Sequence, residues 1–305
     1  MAQIRGIHTV YTSKPVIEGA GVHLKRAFGF GETSLFDPFL LLDDFRSDVR
    51  AHYIKGFPWH PHRGIETITY VLSGDVAHGD SLGNQGTITS GDVQWMTAGS
   101  GIIHQEMPQG DADGKMAGFQ LWANLPAKHK MMNPRYRDIT TDQIPVVRLD
   151  SGIEIKIICG QIGATQGPAQ DIVIDPQYLD VTVPPHTTYT HPTRPGHTVL
   201  AYVIDGKGFF CDGKETFNCG AETGHDLDMP SGAAITNEML VLFEDGEQVF
   251  VGTGEAALRF LLISGKPLNE PVAWRGPIVM NTQEELQKAF QELEQGTFVK
   301  QGRAR

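Results

Sequence analysis

Residues 56–74 read GFPWHPHRGIETITYVLSG. Two histidines, His60 and His62, sit one residue apart, and Glu66 follows four residues later. Side chains at i and i+2 point the same way only where the backbone is extended. Carried along one extended strand, that alternation puts His60, His62, Gly64, Glu66 and Ile68 on one face and Pro61, Arg63, Ile65 and Thr67 on the other. Three ligand-type side chains on one face, between Gly56 and Gly74, are more than a buried histidine needs for its own hydrogen bonds. The stretch therefore predicts a strand that forms one wall of a metal site.

A second cluster, GIIHQEMP at residues 101–108, repeats the arrangement. His104 and Glu106 are again at i and i+2. Together the two clusters offer three imidazoles and one or two carboxylates on two strands. That donor set suits iron, zinc, manganese, nickel or copper, and fits calcium poorly because calcium prefers oxygen alone. The remaining histidines are read as ordinary side chains. Among them His78 lies in a strand-like run between the two clusters.

The rest of the chain is consistent with a β-rich protein. It has 305 residues, about 40% apolar and 20% charged, with 35 glycines and 18 prolines, which suits short strands joined by tight turns. A net charge of −11 repels phosphate backbones, so direct nucleic-acid binding is not expected. Three cysteines, Cys159, Cys211 and Cys219, are too few and odd in number for a secreted disulfide framework. They are read as reduced thiols. No run approaches the ~18–20 apolar residues of a membrane helix, and no leader-like apolar segment follows MAQIRGIHTV. The expected location is the cytoplasm, extending to the nucleus in a eukaryote.

Strand-and-turn segments fill both halves of the chain. TYVLSGD in the first half and AYVIDGKG in the second form a weak internal repeat. Two β-domains are expected, residues 1–140 and 141–305, joined near residues 133–146. One helix is predicted over about 282–295. Thr282 is its N-cap and Glu285 completes a capping box, with Leu286, Ala289, Phe290 and Leu293 as the apolar stripe and Gly296 as the stop. A short piece at residues 126–132 has some helical character.

These motifs resemble the pirins, members of the cupin superfamily. The first cupin motif has the form G-x(5)-H-x-H-x(3,4)-E-x(6)-G, and Gly56, His60, His62, Glu66 and Gly74 follow it, two residues short before the histidines and one long at the end. The second motif departs from the general cupin form: Thr97 and Pro108 replace the usual proline and asparagine, and Glu106 follows His104 as it does in pirins. Further pirin-like strings are DPFLLLDDF (37–45), GDVQWMTAGSGIIHQEMP (91–108), GFQLWANLP (118–126) and WRGPIVMNTQEEL (274–286).

The resemblance implies an all-β fold of two tandem cupin domains, each a jelly-roll β-barrel, with a C-terminal helix. It implies a metal site at His60, His62, His104 and Glu106 in the first domain and none in the second. Glu66 then becomes a neighbouring carboxylate that orients a histidine. The expected cofactor is one divalent transition metal, Fe(II) first, with nickel, manganese, copper, cobalt and zinc compatible. By resemblance the activity is that of a quercetin 2,3-dioxygenase, with Glu106 as general base on a flavonol hydroxyl and dioxygen as co-substrate. Phe57, Trp95, Met96, Phe119 and Trp122 are candidate pocket residues, and Gln120 a weaker one. The alternative implied by the family is an iron-dependent, redox-sensing regulator that binds protein partners. The expected state is a monomer.

Overall fold

The computed structural model describes residues 2–210 and 234–300. Cys211 and Cys219 lie outside the described residues. Cys159 is buried and directs its Sγ–H to Ala169 O at 3.1 Å.

The chain forms two compact units. One comprises Met1–Ser13 with Ile144–Pro267, the other Lys14–Gln143 with Leu268–Arg305. This corrects a contiguous division near residue 140. The first strand, β1 (Ile7–Thr12), pairs with Met239–Phe243, deep in the second half of the sequence. The C-terminal helix belongs with the first half. Local pattern cannot foresee either exchange: the first is set by the distant sheet edge that β1 completes, the second by buried bonds from Arg63 and Lys130 to the C-terminal segment.

The unit that carries the histidines contains β2 (Lys14–Glu18), β3 (Val22–Phe28), β4 (Phe39–Asp44), β5 (Phe57–His62), β6 (Ile65–Ser73), β7 (Asp75–Asp80), β8 (Gln85–Ile88), β9 (Val93–Thr97), β10 (Ile102–Gln109), β11 (Ala117–Asn124) and β12 (Arg135–Ile139). They make two antiparallel sheets, ordered β12-β9-β6-β11-β4-β3-β2 and β5-β10-β7-β8. β12 pairs with β9, so the link to the other unit falls in the later part of the expected 133–146 stretch, between Gln143 and Ile144. The other unit has a main sheet of eight strands, and Ile155, Leu179, Val181, Val203, Val241 and Phe260 lie in its core. Among the described residues the chain is thus all-β with one α-helix, in two β-domains.

One turn decides the site. The extended run through residues 60–68 breaks after His62. Arg63 and Gly64 separate β5 from β6, and the two strands belong to different sheets. Gly64 has φ +79°, and a Cβ there would stand 1.9 Å from Val279 O, so only glycine fits. Arg63 is wholly buried. Its guanidinium donates to Ser100 O, Phe298 O and Glu292 Oε2 at 2.7–2.8 Å and lies over the Phe298 ring. Lys130 Nζ donates to Gly64 O, Asn124 Oδ1 and Val279 O.

These bonds fasten the turn to the C-terminal segment, where α1 (Gln283–Glu294) packs on the hairpin Ala273–Arg275 and Ile278–Met280. The helix is closed by the expected capping box: Glu285 N–H donates to Thr282 Oγ1, and Thr282 N–H donates to Glu285 Oε2. Leu286 and Ala289 are buried, with Phe290 and Leu293 beside them. Burying Leu286 alone contributes about 2 kcal/mol. The piece at 126–132 forms only a 3-10 turn, Ala127–His129.

Candidate metal centre

β5 and β10 run antiparallel, with His62 opposite Ile102 and His60 opposite His104. A bulge then puts Glu106 opposite Phe57. Directly opposed residues share a face, so His60, His62 and His104 converge. Their candidate donor atoms all lie within 4.8 Å of one another, and three His side chains in this arrangement can hold a metal ion.

The hydrogen bonds fix which nitrogens are available. His60 Nδ1 lies 2.9 Å from Pro58 O, and His62 Nδ1 lies 3.2 Å from Pro277 O. A carbonyl only accepts, so each Nδ1 carries the proton and each Nε2 presents a lone pair. Those two Nε2 atoms are 3.0 Å apart. Two lone pairs in that position repel unless a cation lies between them. Two nitrogens at ~2.1 Å from one metal and at right angles would be about 3.0 Å apart. His104 is fully buried, and among the described residues neither of its ring nitrogens has a hydrogen-bond partner.

Burial pushes the His62 and His104 imidazoles well below the usual histidine range. For both, the neighbouring His60 acts in the same direction. Both rings are therefore neutral near pH 7, as metal ligation requires. The donor atoms of these residues fit a metal.

Glu106 stands beside the trio, its Oε2 3.9 Å from His104 Nε2. It is buried and firmly held. Thr69 Oγ1 donates to Oε1 at 3.0 Å, and Gln120 Nε2 reaches Oε1 at 3.1 Å and Oε2 at 3.0 Å. Gln120 is itself oriented, because its Oε1 accepts from Trp122 Nε1 at 2.9 Å. Trp122 meets His62 edge-on, with ring centroids 5.0 Å apart. A cavity of about 550 Å³ opens in front of His60, His62 and Glu106, and Phe57, Trp122 and Gln120 are on its wall.

Several expected neighbours sit elsewhere. Because the strand breaks at Gly64, Glu66 does not share the face of His60 and His62. It lies opposite Thr97 and Ala123, on the other side of β6 from Thr69, and its Oε1 accepts from Thr97 Oγ1 at 2.6 Å. Among the described residues no histidine is bonded to it. Burial raises its carboxyl, partly offset by Thr97, Trp95 and the arginines at 135 and 137.

Trp95 shares the Glu66 side, opposite Ile68, and is core. So is Phe119, opposite Tyr70. Met96 faces inward but is covered by Leu40, Ile65, Ala98, Ile102 and Val279, away from the cavity. Phe57 does line the cavity. Gln120, given little weight from sequence, holds both oxygens of Glu106.

Sequence reasoning missed Thr69 and Pro277. Thr69 follows from the alternation of β6 once the break is placed. Pro277 acts through its backbone and has no side-chain signal. His78 was read as an ordinary side chain. It is buried opposite Glu106, its ring centroid 5.4 Å from that of His104 and its Nε2 3.9 Å from Asp80 Oδ2, and among the described residues neither ring nitrogen has a hydrogen-bond partner.

A two-domain cupin with an imidazole trio in its first domain defines the class of protein. Comparison with known proteins then gives the family. The family model described as Pirin matches residues 21–123, and that described as Pirin C-terminal cupin domain matches residues 178–299. A pirin-like protein of Caulobacter vibrioides is 39% identical over 97% of this chain and 99% of its own length. Pirin-1 of Arabidopsis thaliana is 38% identical over 91% of this chain and 88% of its own. A solved structure of quercetin 2,3-dioxygenase from Acinetobacter baumannii superposes with a TM-score of 0.83 at 29% identity, over 97% of this chain and 99% of that one. The chain belongs to the pirin family.

Proposed function

We propose that the chain is a metal-dependent dioxygenase that cleaves a flavonol, or a similar phenolic enediol, in the manner of quercetin 2,3-dioxygenase. The observation that carries this reading is the pairing of a histidine trio with a fixed carboxylate at the end of an aromatic-walled cavity. Likeness to a solved quercetin 2,3-dioxygenase supports it. His60, His62 and His104, with Glu106 beside them, would hold one divalent transition metal, for which Fe(II) suits a mixed nitrogen and oxygen donor set. When bound, the metal supplies Lewis acidity toward a substrate hydroxyl and the redox chemistry that dioxygen requires.

The chain's own residues do the rest. Glu106 takes the proton of the substrate hydroxyl as general base. Thr69 and Gln120 keep its carboxylate aimed, so that no reorientation accompanies the transfer. Phe57 and Trp122 cover the planar rings of the substrate and keep water from the reacting oxygens.

The test is anaerobic purification with metal analysis, then dioxygen uptake and carbon monoxide release with quercetin. Wild type should turn over, and His62→Ala and Glu106→Gln should not. Stoichiometric metal without turnover would overturn the reading and favour an iron-dependent regulator acting through protein partners.

A further inference from the structure

The same cavity holds a second polar feature that the chemistry above leaves unused. The strand register carries one rung of side chains across the sheet: Thr69 opposite Gln120, Gln120 opposite Asp43, Asp43 opposite Arg26. Directly opposed residues share a face, so all four look into the same interior. Thr69 and Gln120 hold Glu106. Asp43 and Arg26 lie one and two strands farther away, and at ~4.8 Å per strand Arg26 stands about 10 Å from Gln120.

Arg26 Nε and Nη2 each donate to one oxygen of Asp43 at 2.7 Å, and Nη1 reaches Glu18 Oε1 at 3.0 Å. All three residues line the cavity, and Leu24, Leu41 and Trp122 lie on its wall as well. An ion pair set in an apolar wall gains little stability over apolar side chains of the same volume. Its cost is offset if the pair also recognises something. One arginine against two carboxylates leaves this end net negative, so it favours hydrogen-bond donors and disfavours anions. Asp43 uses one bond per oxygen on Arg26, and a carboxylate accepts more than two in all.

We infer that the Arg26–Asp43 pair is a specificity anchor for the remote end of an elongated aromatic ligand. The near end of that ligand presents its oxygens to the histidines and Glu106. Its remote ring carries a neutral hydroxyl that donates to the Asp43 carboxylate. The inference rests on the flavonol reading and narrows it to neutral polyphenols hydroxylated at both ends.

The test measures binding, so it does not depend on turnover. Anaerobic fluorescence titrations of the full, metal-loaded chain would use three probes: quercetin, 3-hydroxyflavone (the same chelating oxygens and no hydroxyl on the outer rings), and quercetin sulfonated on the pendant ring. A hydrogen bond to a charged group corresponds to about tenfold in affinity or more. Quercetin should therefore bind at least about tenfold more tightly than 3-hydroxyflavone, and the sulfonated probe more weakly than quercetin. Asp43→Asn should bring the quercetin to 3-hydroxyflavone ratio close to one while affinity for 3-hydroxyflavone holds.

Should Asp43→Asn fail to fold, Glu18→Gln at the half-exposed partner removes one of the two negative charges. It should relax the discrimination against the sulfonated probe several-fold. Equal affinity of wild type for quercetin and 3-hydroxyflavone would overturn the anchor and leave the flavonol reading standing. Selective binding without turnover would keep the anchor and remove the dioxygenase. Binding of no probe would overturn both.

Discussion

His60 Nε2 and His62 Nε2 face each other at 3.0 Å, while each ring's Nδ1 is held by a backbone carbonyl. Neither ring can turn its protonated nitrogen inward without losing that carbonyl bond. The two lone pairs meet at one point, where a bound cation would relieve their repulsion. Removing the metal with a chelator should lower the melting temperature, and restoring it should reverse the change. At a free metal concentration about a hundredfold above Kd the stabilisation is ~2.7 kcal/mol. His104→Ala should abolish the difference between the two forms. A melting temperature that ignores stoichiometric metal would refute the claim.

Gln120 should act on rate and not on metal content. Its amide touches both oxygens of Glu106 and is oriented by Trp122. Gln120→Ala leaves the histidine trio intact and lets the carboxylate rotate. The expected result is a ten- to hundredfold fall in kcat with quercetin, of the size set by lost positioning, with metal stoichiometry unchanged. A variant that loses metal in parallel with activity would make Gln120 part of the binding shell instead.

How far this site could be read from sequence is instructive residue by residue. The histidines were legible because i, i+2 spacing in a strand encodes direction. The helix was legible because Thr282, Glu285 and the Leu286 stripe are local signals, and the structure returns all of them. Glu66 was misplaced because alternation was carried through Gly64, where a positive φ breaks the strand. A glycine in an apparently continuous strand is the cue for such a break. The return of residues 268–299 to the unit that carries the histidine trio had no local signature. Its bonds reside in backbone carbonyls at Val279 and Phe298 and in a buried arginine.

That arginine gives a stability prediction. Arg63 is 2% exposed and satisfies Ser100 O, Phe298 O and Glu292 together. Arg63→Met keeps much of the volume but leaves the Ser100 and Phe298 carbonyls without their donor and Glu292 with Lys300 alone. Loss of one partner from a buried charged network costs about 3–5 kcal/mol. Urea denaturation should show a loss of that order. Because Arg63 adjoins His62, metal affinity should fall as well. A loss under ~1 kcal/mol would mean that the C-terminal segment is held chiefly by the apolar contacts of α1.

The unit of Met1–Ser13 with Ile144–Pro267 supplies a pH dependence separate from the histidine trio. His191 is buried, with Nδ1 2.8 Å from Tyr189 Oη and Nε2 2.9 Å from Gln177 Oε1. The amide oxygen only accepts, so Nε2 carries the proton and Nδ1 accepts from the tyrosine hydroxyl. A second proton on the ring would meet that hydroxyl's hydrogen, and burial lowers the imidazole to about 4. In the unfolded chain it titrates near its ordinary value of about 6.5. Between those two values the unfolded state binds a proton that the folded state does not, so stability falls as pH drops from about 6.5 to about 4. Below about 4 both states are protonated and this contribution stops changing. The difference corresponds to roughly 3 kcal/mol across the window. His191→Gln removes the titrating group while retaining a donor and an acceptor. Urea unfolding measured at intervals from pH 4 to pH 7 should give the variant a flatter dependence than wild type, even where its stability at pH 7 is lower. Parallel slopes for the two proteins would assign the acid sensitivity to other groups.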